Sequence, residues 1–382
     1  MNNAITLYNP KKLVFGPGVI TQMAEDIKQL GYKRLFIITI SNLEQQLDPI
    51  IRLLHSYDIK TKIVNFENGE PYYSDYYAIK KEAVGFNADC ITGIGGGSVM
   101  DIAKVVAALL YSETSVESIA GINILKEKGS YLICVPTTSG TGSEVSPNSI
   151  LIDDNNGAKI GIISPFLIPD AAYIDPELTI SLPPAVTAFT GIDALTHCIE
   201  AYANKFAHPI VDTFALQGIK LICNNLKRAY DDGKDIEART NVALGSVYGG
   251  MCLGPVNTAA VHALAYPLGT EYKMAHGLSN AVLLPYVMAY NTEGNEKKYG
   301  KIAIAAGALI DNDYRLLSLN GIDVLKNLIS ECNIKPRLRD YNIPESAIEK
   351  LAKDAYQIQR LLKNNLRELD VNDIKEIYKS AY

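Results

Sequence analysis

The feature that most constrains the fold is a change of period at Pro183-Pro184. Before it, short apolar runs alternate with helix-like stretches. After it, only helical periodicity remains. In the first part the spacing predicts strands over 34–39, 61–66, 89–94 and 131–136, separated by helices over 18–30, 46–57, 74–86 and 98–110. Runs such as Leu35-Phe36-Ile37-Ile38 are apolar throughout, as in strands buried on both faces, so the pattern predicts a mostly parallel sheet covered by helices on each side. In the second part, segments 186–204, 211–230, 237–253, 257–268, 280–290, 296–309, 320–332 and 345–380 carry helical periodicity and no convincing strand. A chain of 382 residues exceeds one typical hydrophobic core. The expectation is an α/β domain over 1–184 and an all-helical domain over 185–382, with a cleft between them.

A net charge of −6 argues against nucleic acid or an anionic membrane as partner. The six cysteines form no Cys-x-x-Cys pair and several sit in apolar runs, as free thiols in a reducing compartment do. No apolar run approaches the length of a membrane span, and the first residues show no basic segment followed by an apolar stretch. A cytoplasmic protein without a membrane partner is expected.

Two polar loops follow predicted strands. Gly93-Ile-Gly95-Gly96-Gly97-Ser98-Val-Met-Asp101 closes the 89–94 strand and opens a helix. Small residues let the backbone approach phosphate oxygens, and the N–H groups of a helix start face an anion. Ser98 is placed to cap that helix or bind phosphate, and Asp101 lies in its first turn. The spacing matches neither the Gly-x-Gly-x-x-Gly fingerprint nor a P-loop, and a plain tight turn remains open. Pro136-Thr137-Thr138-Ser139-Gly140-Thr141-Gly142-Ser143-Glu144 is the second loop, dense in hydroxyls and glycines. Read alone it is an exposed loop. Paired with the first, it offers an extended polar ligand a second contact at the carboxyl ends of one sheet.

Three of the five histidines join one aspartate in a sparse pattern: Asp193-x-x-x-His197, then His262, then His276. On a helix the first pair shares a face. One carboxylate and three imidazoles suit Fe2+ or Zn2+ better than Mg2+ or Ca2+. Spacing alone leaves open that these are ordinary interior polar residues.

Taken together the motifs resemble the iron-containing (group III) alcohol dehydrogenase family. The carriers are Gly-Gly-Gly-Ser-x-x-Asp at 95–101, Pro-Thr-Thr-Ser-Gly-Thr-Gly-Ser-Glu at 136–144, Gly-Ile-Asp-Ala-Leu-Thr-His at 191–197, His-Ala-Leu-Ala-Tyr-Pro-Leu-Gly at 262–269 and His-Gly-Leu-Ser-Asn-Ala-Val-Leu-Leu-Pro at 276–285. The opening segment 8–18 resembles the family's N-terminal strand and turn. The resemblance implies a dehydroquinate-synthase-like fold, with a Rossmann-like domain before a helical metal-binding domain, assembled as homodimers or larger oligomers. It implies Asp193, His197, His262 and His276 as metal ligands. Gly96, Gly97, Ser98 and Asp101 match a pyrophosphate cradle, and Thr137, Thr138, Thr141 and Ser143 a dinucleotide-contacting loop. Lys159 matches a ribose-directed lysine, and Leu178 and Leu182 match apolar contacts near the cofactor.

The implied chemistry is reversible hydride transfer between NAD or NADP and a small aldehyde or primary alcohol, with Fe2+ or Zn2+ as Lewis acid. Three departures matter. Many relatives have histidine, a proton-relay candidate, where this chain has Tyr266. Tyr286 likewise replaces a histidine. Ile40 stands where NAD-selective relatives place aspartate, so NADP is expected to be tolerated. Ile150, Leu151, Tyr266 and residues 251–256 are candidate pocket lining, with Tyr266 also a candidate proton donor, and Asp153 and Asp154 are turn residues. The alternatives are a zinc-dependent glycerol-dehydrogenase-like enzyme, a metal-free branch resembling maleylacetate reductase, which the complete ligand set argues against, and a non-catalytic nucleotide sensor.

Overall fold

A computed structural model describes residues 4–382. Its contacts divide the described chain into two compact units: Tyr8–Thr138 with Gly142–Ile180, and Ser181–Tyr382 with Ser139–Thr141 and residues 4–7.

The first unit is α/β. Its elements are β1 (Lys12–Phe15), α1 (Ile20–Leu30), β2 (Arg34–Thr39), α2 (Glu44–Ser56), β3 (Lys60–Asn65), α3 (Tyr73–Gly85), β4 (Cys90–Gly95), α4 (Gly97–Ala108), β5 (Gly121–Ile122), β6 (Tyr131–Pro136), β7 (Asn148–Ile152), β8 (Lys159–Ile163) and β9 (Ala171–Ile174). Six strands form a parallel sheet in the order β1-β9-β6-β4-β2-β3. Successive side chains of a strand face opposite ways. Leu35, Ile37, Ile133 and Val135 accordingly enter one apolar cluster, and Phe36, Ile38, Leu132 and Cys134 another. Both faces of the sheet are thus covered, which is why these strands read as unbroken apolar runs. The predicted strands appear within one or two residues of their expected bounds. Strands β7 and β8 were not foreseen. They pair antiparallel around a turn where Asp153 accepts from the Asn155 N–H and Asp154 from Ser74, and they join β5 in a separate three-stranded sheet. Leu151 lies in this unit's core and is not pocket lining.

The second unit is helical: α5 (Pro184–Tyr202), α6 (Pro209–Asp231), α7 (Ile236–Leu253), α8 (Ala260–Tyr272), α9 (His276–Thr292), α10 (Glu296–Ala305), α11 (Tyr314–Glu331), α12 (Ile348–Tyr356), α13 (Gln359–Leu362) and α14 (Val371–Ala381). Helix α5 is its axis, buried along almost its whole length from Thr187 to Tyr202. Glycines let its neighbours close in. A Cβ on Gly191 would stand 2.3 Å from Leu226 of α6, and one on Gly277 would stand 2.2 Å from the Phe189 carbonyl, so α9 can meet the backbone of α5 only with glycine there. The single helix expected over 345–380 is three. Asn364 donates to the Thr258 carbonyl and Asn365 to Asn291, which hold the chain out of helix, and the Asp370–Asp373 capping box starts α14. Among the described residues, no helix is long and apolar enough to cross a membrane.

Candidate functional site

Helix α5 places Asp193 and His197 one turn apart, α8 supplies His262 and α9 opens with His276. The three helices bring Asp193, His262 and His276 together, and His197 stands beside that group, next to Asp193. Ligand atoms of Asp193, His262 and His276 all lie within 4.8 Å of one another. From Asp193 Oδ1 the Nε2 atoms of His262, His276 and His197 are 3.5, 3.6 and 3.9 Å away. The His197 and His262 rings stack with centroids 4.8 Å apart. These separations are long for hydrogen bonds. The first two match the roughly 3.4 Å between vertices of a tetrahedron with bonds of about 2.0–2.2 Å, the usual range for nitrogen and oxygen on zinc, and the His197 distance is longer. Asp193, His262 and His276 therefore fit a divalent transition ion in both chemistry and spacing, and His197 fits it in chemistry. Two buried polar atoms in this nest, His197 Nδ1 and Asn280 Oδ1, make no hydrogen bond.

Two further residues, not singled out by the sequence motifs, shape the cluster. Asn280 sits one turn past His276, fully buried, and its Nδ2 donates to Asp193 Oδ1 at 2.7 Å and lies 3.2 and 3.4 Å from Nε2 of His262 and His276. Its amide hydrogens put a positive dipole end where the lone pairs converge. Glu200 lies seven residues after Asp193 and three after His197, on the same face of α5. Its carboxylate accepts from the backbone N–H groups of Ala259 (3.0 Å) and Val261 (2.5 Å) and contacts His262 Nδ1 at 2.6 Å. One side chain thus caps the start of α8 and fixes His262 with Nδ1 protonated, leaving Nε2 to the cluster. That spacing was the available signal; what hid it was the need to know that α8 begins against α5.

Electrostatics follow from this packing. Burial raises the Asp193 carboxyl, but His197, His276 and His262 outweigh it and hold it far below the usual carboxylate range. Burial opposes charge on His262, yet Glu200 and Asp193 hold it up to about 10. His197 is pushed down by burial, against the pull of Asp193, and a protonated His262 lowers it further. Asp193, His197 and His262 are 4–6% exposed at the side chain, whereas His276 is 31% exposed. The cluster opens on the His276 side. Tyr266 stands there, on α8 one turn after His262, its ring centroid 5.9 Å from that of His276 and its hydroxyl accepting from Arg360 Nη2 at 3.0 Å. Tyr286 points elsewhere: its hydroxyl donates to the Pro336 carbonyl and its ring lies under Arg337.

In the α/β unit, Gly95 ends β4, Gly96 caps α4 without a side-chain bond, and the helix begins at Gly97. Ser98 is consequently inside the first turn and is not its cap. Gly93 and Gly95 are small for packing, since a Cβ on them would stand 2.8 Å from Ala103 and 2.7 Å from Val99. At Gly96 a Cβ would meet nothing nearer than Thr138 at 3.7 Å, an ordinary contact, and the uncapped, partly exposed helix start suits a phosphate. Thr137 is buried, with its N–H on the Gly95 carbonyl. Asp101 uses both oxygens inside the protein, accepting from Ser143 Oγ at 2.6 Å and from the Ile150 N–H at 2.8 Å, and so ties the second loop to α4. Thr141 belongs to the helical unit, with Gly140 packed against Thr190. Lys159 pairs with Glu70 at 2.5 Å. Leu178 is in the apolar core of the α/β unit and Leu182 is half-buried in the segment before α5. Ile40 directly follows β2, partly buried and packed against both apolar clusters.

Two family models match the chain: iron-containing alcohol dehydrogenase over residues 10–176, and the C-terminal region of the Fe-containing alcohol dehydrogenase family over 187–382. The chain is 37% identical to long-chain-alcohol dehydrogenase 1 of Geobacillus thermodenitrificans, covering 97% of this chain and 96% of that protein. A crystal structure of 1,3-propanediol oxidoreductase superposes with a TM-score of 0.96 at 31% identity, covering all of both chains. Sulfoacetaldehyde reductase from Bifidobacterium kashiwanohense, solved with NAD+, superposes with a TM-score of 0.89 at 25% identity over 99% of each chain.

Proposed function

The chain belongs to the iron-containing alcohol dehydrogenase family, and we propose that residues 1–184 bind the dinucleotide of its redox reaction while residues 185–382 hold the metal and the substrate. The enzyme is an oxidoreductase that moves a hydride between a nicotinamide cofactor and an aldehyde or alcohol. A bound divalent ion supplies Lewis acidity toward the substrate oxygen, and the nicotinamide carries the hydride.

The protein's own part is binding and orientation. Asp193, His197, His262 and His276 hold the ion, with Glu200 fixing the His262 tautomer. Gly96, Gly97 and Ser98 receive the pyrophosphate at the start of α4, and Asp101 keeps Ser143 and the neighbouring Thr137 and Thr138 in place beside it. Thr141, Leu178 and Leu182 complete the dinucleotide contacts, and Lys159 reaches the ribose by leaving Glu70. Tyr266 borders the substrate at the open side of the cluster. With Ile40 directly after β2, no carboxylate there repels a 2′-phosphate, so NADPH is accepted beside NADH. Fe2+ is the resident ion, with Zn2+ a workable replacement. The enzyme works in the cytoplasm as a homodimer or larger oligomer, with no membrane or nucleic acid as partner.

The observation that carries this reading is the convergence of Asp193, His262 and His276 from three helices, with His197 one turn from Asp193 and its Nε2 3.9 Å from the carboxylate. The test is oxidation of NADH and NADPH with an aldehyde panel on anaerobically metallated protein, before and after chelation. Turnover that is lost to chelator and restored by added ion is expected. Turnover insensitive to chelator and to His262→Ala would overturn it.

A further inference from the structure

We propose that Arg360 is the anchor of an anion subsite at the mouth of the metal cluster, and that the preferred substrates are short aldehydes or alcohols carrying a terminal carboxylate or sulfonate. This rests on the hydride-transfer reading above and names its substrate class.

The helical unit itself places Arg360. Helix α13 is a single turn, and Leu361 and Leu362 are buried in the core of the helical unit, so the turn is fastened down on α8. That docking leaves Arg360 over Tyr266, its guanidinium carbon 5.5 Å from the ring centroid and Nη2 donating to the hydroxyl at 3.0 Å. Tyr266 in turn stands against His276, and His276 is the one member of the cluster with substantial exposure. A substrate whose oxygen reaches the cluster has to pass the His276 side, where Tyr266 and Arg360 form the border. Arg360 therefore meets the end of the substrate away from the reacting carbon.

Charge gives the chemistry. Among the described residues no carboxylate pairs with Arg360. Several other basic residues near the chain end are paired: Arg367 with Glu293, and Lys350, Lys353 and Lys375 with glutamates. A guanidinium carries five N–H donors in a planar fork suited to carboxylate or sulfonate oxygens. One donor is spent on Tyr266, and that bond holds the head half-buried and oriented. In a chain of net charge −6, an un-neutralised cation at a site entrance is a local reversal of sign that draws in anions. A neutral alkyl aldehyde leaves those donors without a partner of opposite charge, so the site discriminates by the tail.

The test compares butanal with succinic semialdehyde, which have equal carbon chains but differ in the terminal carboxylate, on metallated wild type and on Arg360→Gln. A charge-assisted bond at this position is worth roughly ten- to a hundredfold in kcat/KM. Expected are a wild-type preference for the semialdehyde and a fall of at least tenfold in the ratio of the two kcat/KM values in Arg360→Gln, carried mainly by KM. A wild-type ratio below one, or a ratio that falls less than threefold, overturns the proposal. A fall between three- and tenfold that Arg360→Lys does not partly restore also overturns it. Succinate gives a readout independent of turnover: it should raise the melting temperature of wild type and not of Arg360→Gln. If neither aldehyde is reduced, the hydride-transfer reading fails, whereas equal succinate effects on both proteins would defeat the subsite alone.

Discussion

Replacing Glu200 tests how the cluster is built. Three donors converge on its carboxylate: the Ala259 and Val261 N–H groups and His262 Nδ1, at 3.0, 2.5 and 2.6 Å. The side chain is 5% exposed, so Glu200→Ala strands all three away from bulk water. An unsatisfied buried donor costs about 1–3 kcal/mol. A water entering the vacated space recovers part of that, so the expected loss is about 3–6 kcal/mol in the metal-free protein. The ion should suffer separately, because nothing would then fix Nδ1 of His262 as the protonated nitrogen; loss of such a partner typically weakens metal binding about 10–100-fold. Glu200→Gln fills the same space but must turn its amide nitrogen toward one of the three donors, so it keeps two acceptor contacts at most and should fall between wild type and alanine in both measurements. The assays are urea denaturation of chelator-treated protein and zinc titration against a competing chromophoric chelator. An alanine variant within 1 kcal/mol of wild type, with zinc affinity within twofold, would refute the reasoning.

Other predictions concern separate parts of the molecule. Burial pushes the Glu144 carboxyl up from 4.5 to about 7, against the pull of its own backbone N–H and of Lys104. Between those values the folded protein keeps a proton that the unfolded chain releases, so this stability is full below about pH 4.5 and is lost as pH rises to 7, on the order of 3 kcal/mol in all. Subtracting the pH–stability curve of Glu144→Gln from that of wild type should isolate the slope, and a flat difference would contradict it. Gly277→Ala drives a methyl to within 2.2 Å of the Phe189 carbonyl, so α9 and His276 must move off α5; a cost of about 2–3 kcal/mol, with reduced metal content after purification, is expected from thermal unfolding and metal analysis. Asp101→Ala releases Ser143 and the Ile150 N–H, and should raise the dissociation constant of NADH roughly tenfold while leaving zinc affinity as it was, by fluorescence titration and chelator competition.

What could be read from the chain depended on whether a signal was local. Strands β2, β4 and β6 announce themselves because both faces are covered and most of their residues are apolar. Asp193 and His197 are legible because a helix turns their spacing into adjacency. Strand β9 has four residues and no alternation, and it escaped notice although it lies between β1 and β6. The breaks at Asn364 and Asn365 are set by partners 106 and 74 residues away, which no local period records. Glu200 and Asn280 are found only once α5, α8 and α9 have been brought together. Helix α4 shows the subtler failure: the glycines before it looked alike in sequence, but Gly93 and Gly95 make room for Ala103 and Val99, whereas a Cβ at Gly96 would meet only an ordinary contact with Thr138.

The most direct test of the account is X-ray absorption at the zinc edge on zinc-loaded protein. The account predicts only nitrogen and oxygen neighbours at about 2.0–2.2 Å, with the scattering signature of three imidazoles in wild type and two in His276→Ala. A sulfur neighbour, or an imidazole count that His276→Ala leaves unchanged, would contradict it.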